Sequence, residues 1–285
     1  MWAYGSRGNA HNAKGDSDRA IADFDEAIQL DPELAMSYYN RGNAYRAKGD
    51  SDRAIVDYGE AIRLDSEYAV AYYNRGSAYH AKGDDDRAIA DYGAAIRLDP
   101  KSAAVYNSLG VAHYDKGDND RAIADYDEVI RLDPDALTYS NRSTVYRDKG
   151  DNDRAIADCD EAIRLDPKFS VAYINRGNAY RDKGDDDRAI ADCDEAIRLN
   201  PKDAVAYDNR GIAYYDKCDN DRAIADYDQA IRLDPKDALA YKNRGNAYHA
   251  KGDDDRAIAD YDVAIRLDRA FRWVRTETRE APAKP

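Results

Sequence analysis

The sequence predicts an all-α chain, a solenoid of antiparallel helix pairs, from three observations. A unit of about 34 residues recurs along nearly the whole length, each unit holds two stretches with helical apolar spacing, and glycine or Asp-Pro punctuates the gaps. Aligned on Ala-Lys-Gly-Asp or Asp-Lys-Gly-Asp, the chain falls into segments 1–34, 35–68, 69–102, 103–135, 136–169, 170–203, 204–237 and 238–271, of which only the fourth has 33 residues. In such an array each unit buries its apolar face only against its neighbours.

The second copy shows why each half is helical. Tyr38, Arg41, Gly42 and Tyr45 lie three to four residues apart, on one face of a first helix, A. Gly49 is suited to the left-handed conformation that ends a helix, and Asp50 to capping the next one. Ala54, Ile55, Tyr58, Ala61, Ile62 and Leu64 then repeat the helical spacing and define a second helix, B. A closing Asp-Pro, as at Asp99-Pro100 or Asp133-Pro134, removes a backbone donor and disfavours helix at the preceding residue.

Composition narrows the function. With 43% hydrophobic residues the chain is globular, and its 35% charged residues suit an elongated body with much surface. A net charge of −14 argues against nucleic acid as a partner, because that affinity rests on cations neutralising phosphates. Cys159, Cys193 and Cys218 show neither disulfide-framework nor zinc spacing. No basic segment followed by an apolar run opens the chain, and no stretch is long and apolar enough for a membrane span. The expectation is a cytoplasmic protein without membrane contact.

The pattern Tyr38, Arg41-Gly42, Tyr45, Ala54, Tyr58, Ala61 resembles the tetratricopeptide repeat family, and the match extends over eight consecutive copies from Met1 to about Phe271. The resemblance implies a right-handed superhelix with the A helices lining a concave groove. Gly42 should face Ala54 within its hairpin, since small residues let helices approach closely. Tyr58 and its equivalents fill the aromatic place on helix B, where Phe24, Cys159 and Cys193 substitute, the cysteines as core thiols. Three departures stand out: arginine replaces the usual leucine before the glycine in every copy except the fourth, which keeps Leu109; Ser143 replaces the glycine itself; and Cys218 replaces a turn glycine. The aspartates of adjacent helices are ready partners for those arginines. A kink or irregular hairpin contact is expected near 134–145, beside the one-residue deletion. Residues 272–285 read as a short capping segment, carrying Trp273 and Val274 after Phe271, and a disordered tail.

Two signals lie where the resemblance places the groove. One is a ladder of asparagines, Asn40, Asn74, Asn141, Asn175, Asn209 and Asn243. An amide offers a donor and an acceptor to a peptide backbone, and hairpins stacked at ~10 Å match three extended residues at ~3.3 Å each. The same amides could instead bond between neighbouring A helices, since buried polar groups need partners. The second is the wall formed by Arg46, His80, Tyr114, Arg147, Arg181 and Tyr215, joined by Tyr39 and Tyr73, a cationic and aromatic surface suited to acidic or C-terminal carboxylate ligands.

No catalytic or metal constellation emerges. His11, His80, His113 and His249 lie in different copies, and the aspartates repeat as turn caps (Asp16, Asp50, Asp84, Asp118) or helix-pairing charges such as Asp160 with Arg164. The Gly-Asp-Asp-Asp runs lack the downstream glutamate of a calcium loop. The expectation is therefore a non-enzymatic scaffold without cofactor or metal, binding a protein or extended peptide. The alternatives are a structural solenoid that self-assembles head to tail through its ends, and a regulatory or substrate-binding module of a larger enzyme.

Overall fold

A computed structural model describes the backbone of residues 2–279 and the side chains of residues 2–268. The described residues form sixteen α-helices and no strand, an all-α helical repeat solenoid. They divide into two compact units at Pro134/Asp135. The first unit holds α1 (Trp2–Ala13), α2 (Ser17–Leu30), α3 (Ala35–Ala47), α4 (Ser51–Leu64), α5 (Ala69–Ala81), α6 (Asp85–Leu98), α7 (Ala103–Asp115) and α8 (Asn119–Leu132). The second holds α9 (Ala136–Asp148), α10 (Asn152–Leu165), α11 (Ser170–Asp182), α12 (Asp186–Leu199), α13 (Ala204–Asp216), α14 (Asn220–Leu233), α15 (Ala238–Ala250) and α16 (Asp254–Arg279). Odd-numbered helices are the A helices and even-numbered ones the B helices.

Each A-to-B turn is built alike. Gly49 takes φ +78° and the Asp50 side chain accepts from Arg53 N at 3.0 Å, satisfying one of the free amides at the start of α4. Cys218 holds the same turn at φ +61° and its thiol is exposed. Within a unit each A helix packs on the preceding B helix. The cluster Ala88, Tyr92, Ala95, Val105, Leu109 and Ala112 joins α6 to α7, and Ala20, Phe24 and Ala44 join α2 to α3.

The glycine of helix A meets more than the expected alanine. A Cβ on Gly42 would lie 2.8 Å from the Tyr58 ring and 3.3 Å from the Ala54 carbonyl oxygen, so the ring sets the close approach. At Ser143 the facing residue is Cys159, a smaller group, which leaves room for a side chain; Ser143 Oγ donates to Ser140 O at 2.7 Å. The irregularity expected at 134–145 is confined to the turn. The deletion shortens that turn to 133–135, Asp135 caps α9 by accepting from Thr138 N at 2.9 Å, and α9 runs unbroken. Cys159 and Cys193 are buried in the core, which pushes both thiols up to about 12.

The arginines find the expected aspartates. Arg41 Nε and Nη2 donate to the two oxygens of Asp57 at 2.8 and 2.6 Å, and Nη1 donates to Asp25 of the preceding hairpin at 2.6 Å. This planar fork suits a carboxylate. Burial raises the Asp57 pKa, and hydrogen bonding to Asp57 raises that of Arg41. Asp160 departs from its expected i,i+4 partner: it accepts from Arg176 at 2.6 Å, while Arg164 turns back to Glu161 at 2.8 Å. Arg176, on the following hairpin, is held in place by its fork onto Asp192 and reaches back to Asp160 with its remaining nitrogen. Helix α16 runs to Arg279, and the side chains of Phe271, Trp273 and Val274, with residues 280–285, lie outside the described residues.

Candidate peptide-binding face

In the first unit, Asn12, Tyr39, Asn43, Arg46, Ala47, Val70, Tyr73 and Asn74 line an open cleft of about 530 Å³. Four of the expected groove residues, Tyr39, Arg46, Tyr73 and Asn74, thus share one site. Its aromatic wall is held from behind: the Tyr39 ring lies 5.0 Å from the Tyr68 ring and 5.9 Å from the Tyr58 ring, and Tyr73 lies 5.9 Å from Tyr92. Arg46 makes no ion pair with any described residue.

The asparagine at the ladder position reaches back to the preceding A helix. Asn74 Nδ2 donates to Tyr39 Oη at 2.9 Å and Asn43 Oδ1 at 3.1 Å; the latter oxygen also accepts from Tyr58 Oη at 2.8 Å. In the second unit Asn175 donates to Ser140 Oγ at 2.9 Å, and Asn243 to the Asp208 carboxylate at 3.2 and 3.3 Å. The rule is local. The amide bonds where the residue 35 places earlier carries an acceptor, and it does not where that residue is Gly5, facing Asn40, or Ile174, facing Asn209. Asn141 is half-buried on α9.

The remaining wall residues are unequally free. His80 Nδ1 lies 2.7 Å from Asp85, and its Nε2 lies 3.7 Å from Asp115. Arg147 stands 3.8 Å from Asp182 and 3.4 Å from Asp148. Arg181 lies 3.6 Å from Asp182, yet its buried Nη1 has no hydrogen-bond partner among the described residues. Tyr114 and Tyr215 are half-buried. Asp208 occupies the place equivalent to Tyr39, and burial lifts its carboxyl to about 6.

One feature of this face escaped sequence reasoning. One repeat position at the start of the A helices carries a large exposed apolar side chain in seven copies: Trp2, Met36 and Val70 in the first unit, Leu137, Val171, Val205 and Leu239 in the second. Val70 shows where the row lies, at the edge of the Arg46 cleft. The signal was present as a repeat position that stays apolar although it does not belong to the hairpin core.

No described helix is long and apolar enough to cross a membrane. A search of curated proteins gives no significant match. Among solved structures, the chain resembles a tetratricopeptide repeat protein from Parabacteroides merdae (TM-score 0.68, 18% identity, covering 86% of this chain and 97% of that one). It resembles YrrB, described as a TPR protein with an unusual peptide-binding site (TM-score 0.52, 23% identity, 68% and 97%). It also resembles the APC/C hetero-tetramer Cut9-Hcn1 (TM-score 0.64, 21% identity, 86% of this chain), where it spans 48% of the matched chain. The family described as "TPR repeat" matches residues 8–46, 42–83, 76–117 and 219–252, and "Tetratricopeptide repeat" matches 103–135, 136–169, 170–203 and 238–271. With repeat units matched along most of its length, the chain belongs to the tetratricopeptide repeat family.

Proposed function

We propose that this protein-interaction repeat scaffold holds an extended peptide along its A-helix face, with an acidic side chain or C-terminal carboxylate of the ligand seated at Arg46. The carrying observation is the state of Arg46. The chain has 57 acidic and 43 basic side chains, and the arginines that precede the helix-A glycines are forked onto aspartates, yet this guanidinium faces an open cleft with no carboxylate of its own. Tyr39 and Tyr73 flank it as rigid aromatic anchors, and Val70 offers an apolar contact. The asparagines contribute mainly by fixing one A helix against the next, which holds the tyrosines in register; Asn40 and Asn209 keep their amides available for a ligand backbone. The family is generally a non-enzymatic one, and we read the chain as a scaffold without catalytic role, cofactor or metal, acting in the cytoplasm. YrrB supplies a precedent for peptide binding within this fold.

A displayed random-peptide library selected on the intact chain tests this. Selected peptides are expected to carry Asp, Glu or a free C-terminus. They should lose about ten-fold or more in affinity for Arg46→Glu, whose fold is checked by circular dichroism, because a charge reversal replaces attraction by repulsion. Neutral or basic peptides that bind Arg46→Glu as well as the unmodified chain would reject the assignment.

A further inference from the structure

We infer that the exposed face of α1 and the exposed face of α15/α16 are the two halves of one interface, and that a second copy of this chain is the partner of each. This interface is separate from the peptide-binding face and includes a groove at α15/α16. Leu239, Lys242, Asn246, Tyr261, Ala264 and Ile265 border a largely apolar depression of about 480 Å³. Inside the units the equivalent B-helix surface is covered by the next A helix: Tyr58, Ala61, Tyr227 and Ala230 are at most 1% exposed, whereas their counterparts Tyr261 and Ala264 are only half-buried, and Ile265 is 48% exposed where Ile62 and Ile231 are half-buried.

The covering face has a recognisable composition. In α5 it is Ala71, Asn74, Arg75 and Ala78; in α15 it is Ala240, Asn243, Arg244 and Ala247, with the alanines buried. On α1 the same places hold Ala3, Ser6, Arg7 and Ala10, all exposed. Small side chains let the A helix lie close against the B helix beneath it, and α1 alone presents this set uncovered among the described A helices.

Charge pairing identifies the occupant. A lysine ends each A-helix turn and reaches the aspartate 30 residues earlier: Lys48 to Asp18, Lys82 to Asp52 and Lys116 to Asp86 in the first unit, Lys183 to Asp153, Lys217 to Asp187 and Lys251 to Asp221 in the second. Arginines bridge likewise, Arg41 to Asp25, Arg176 to Asp160, Arg210 to Asp194 and Arg244 to Asp228. Apart from Arg75, which holds only Asp91 because Gly59 stands at the bridging place, four groups of these two series are left over among the described residues. Lys14 has no carboxylate, and Arg7 holds only Asp23, with 61% of its side chain exposed against 20% for Arg41. Asp255 and Asp262 have no cation. The two cations are on the α1 side and the two anions on the α16 side. A second copy laid on α15/α16 as one A helix lies on the preceding B helix brings Lys14 to Asp255 and Arg7 to Asp262. The contact is heterologous, so each added copy leaves one face of each kind open.

Sedimentation velocity on the 285-residue chain tests this across a wide concentration range. Mass should rise with concentration for the unmodified chain. Ala10→Arg blocks one face and Ile265→Arg the other, both at exposed positions that leave the hairpins intact by circular dichroism. Each variant alone should stay monomeric, and an equimolar mixture should form a dimer and stop there, since only one productive pair of faces remains. Lys14→Glu should weaken association by about five-fold, and Lys14→Glu/Asp255→Lys should recover it. The inference is overturned if the unmodified chain stays at monomer mass throughout, if either blocked variant associates like it, or if the mixture remains monomeric.

Discussion

His113 Nδ1 stands 2.6 Å from Asp125 Oδ2 in a largely buried pair, at the place where every other copy forks an arginine onto the aspartate. The fourth copy keeps Leu109 at the arginine position, and Leu109 joins the apolar cluster with Val105 and Ala112. The carboxylate is still buried, which raises the Asp125 pKa, so it needs another donor. His113, one turn further along α7, supplies it.

That exchange predicts a non-additive mutant pair. His113→Phe removes the donor and should cost about 1–3 kcal/mol, the penalty of leaving a buried acceptor unpaired. Leu109→Arg added to His113→Phe rebuilds the fork of the other copies and should return most of that loss in urea unfolding followed by circular dichroism. Equal instability of the single and double variants would show that His113 matters for packing rather than for Asp125.

Gly42 and Gly177 are equivalent in sequence and different in space. A Cβ at Gly42 meets the Tyr58 ring at 2.8 Å; at Gly177 it meets Cys193 Sγ at 3.6 Å, and its tightest contact is Ala189 O at 3.2 Å. Gly42→Ala should therefore destabilise by about 1–3 kcal/mol through overpacking. Gly177→Ala should cost clearly less, because the helix gains about 1 kcal/mol of propensity against a milder contact. Thermal melts of the two variants decide it, and equal losses would place the constraint on the shared backbone contact.

Cys218 occupies a left-handed turn position that glycine fills in the seven other copies. A side chain there costs about 1–2 kcal/mol relative to glycine. Cys218→Gly is thus expected to stabilise the second unit by about 1 kcal/mol and to remove the exposed thiol. An unchanged melting temperature, with thiol labelling abolished, would show that the strain is relieved locally.

The hairpins were legible because helix pairing depends on residues close in sequence: Gly49 and Asp50 announce a turn, and Ala54, Tyr58 and Ala61 announce a buried stripe. The arginine forks were half legible. Arg41 and Asp57 recur together, but Arg41 to Asp25 and Arg176 to Asp160 span hairpins, and local spacing favoured Arg164 for Asp160. The asparagine ladder was visible as a repeat, whereas its bonding depends on a variable residue 35 places earlier, Tyr39 for Asn74 and Asp208 for Asn243. Repetition alone does not distinguish a residue kept for its ligand from one kept for its neighbour.

Asp208 gives the clearest pH dependence. Burial outweighs the Asn243 hydrogen bond and lifts its carboxyl from 3.8 to about 6. Between those values the folded chain holds a proton that the unfolded chain has released, so this group's contribution to stability is present at low pH and is lost as pH rises through that window. Asp208→Asn removes the charge and keeps a carbonyl oxygen for Asn243. It should raise stability at pH 7 by about 1–3 kcal/mol, and the gain should shrink to nothing as pH falls to about 4. Urea unfolding of both chains at several pH values measures it. A gain that persists at acid pH would mean that the amide packs better in its own right, and a loss at neutral pH would mean that the carboxylate is held by the charge of Arg181.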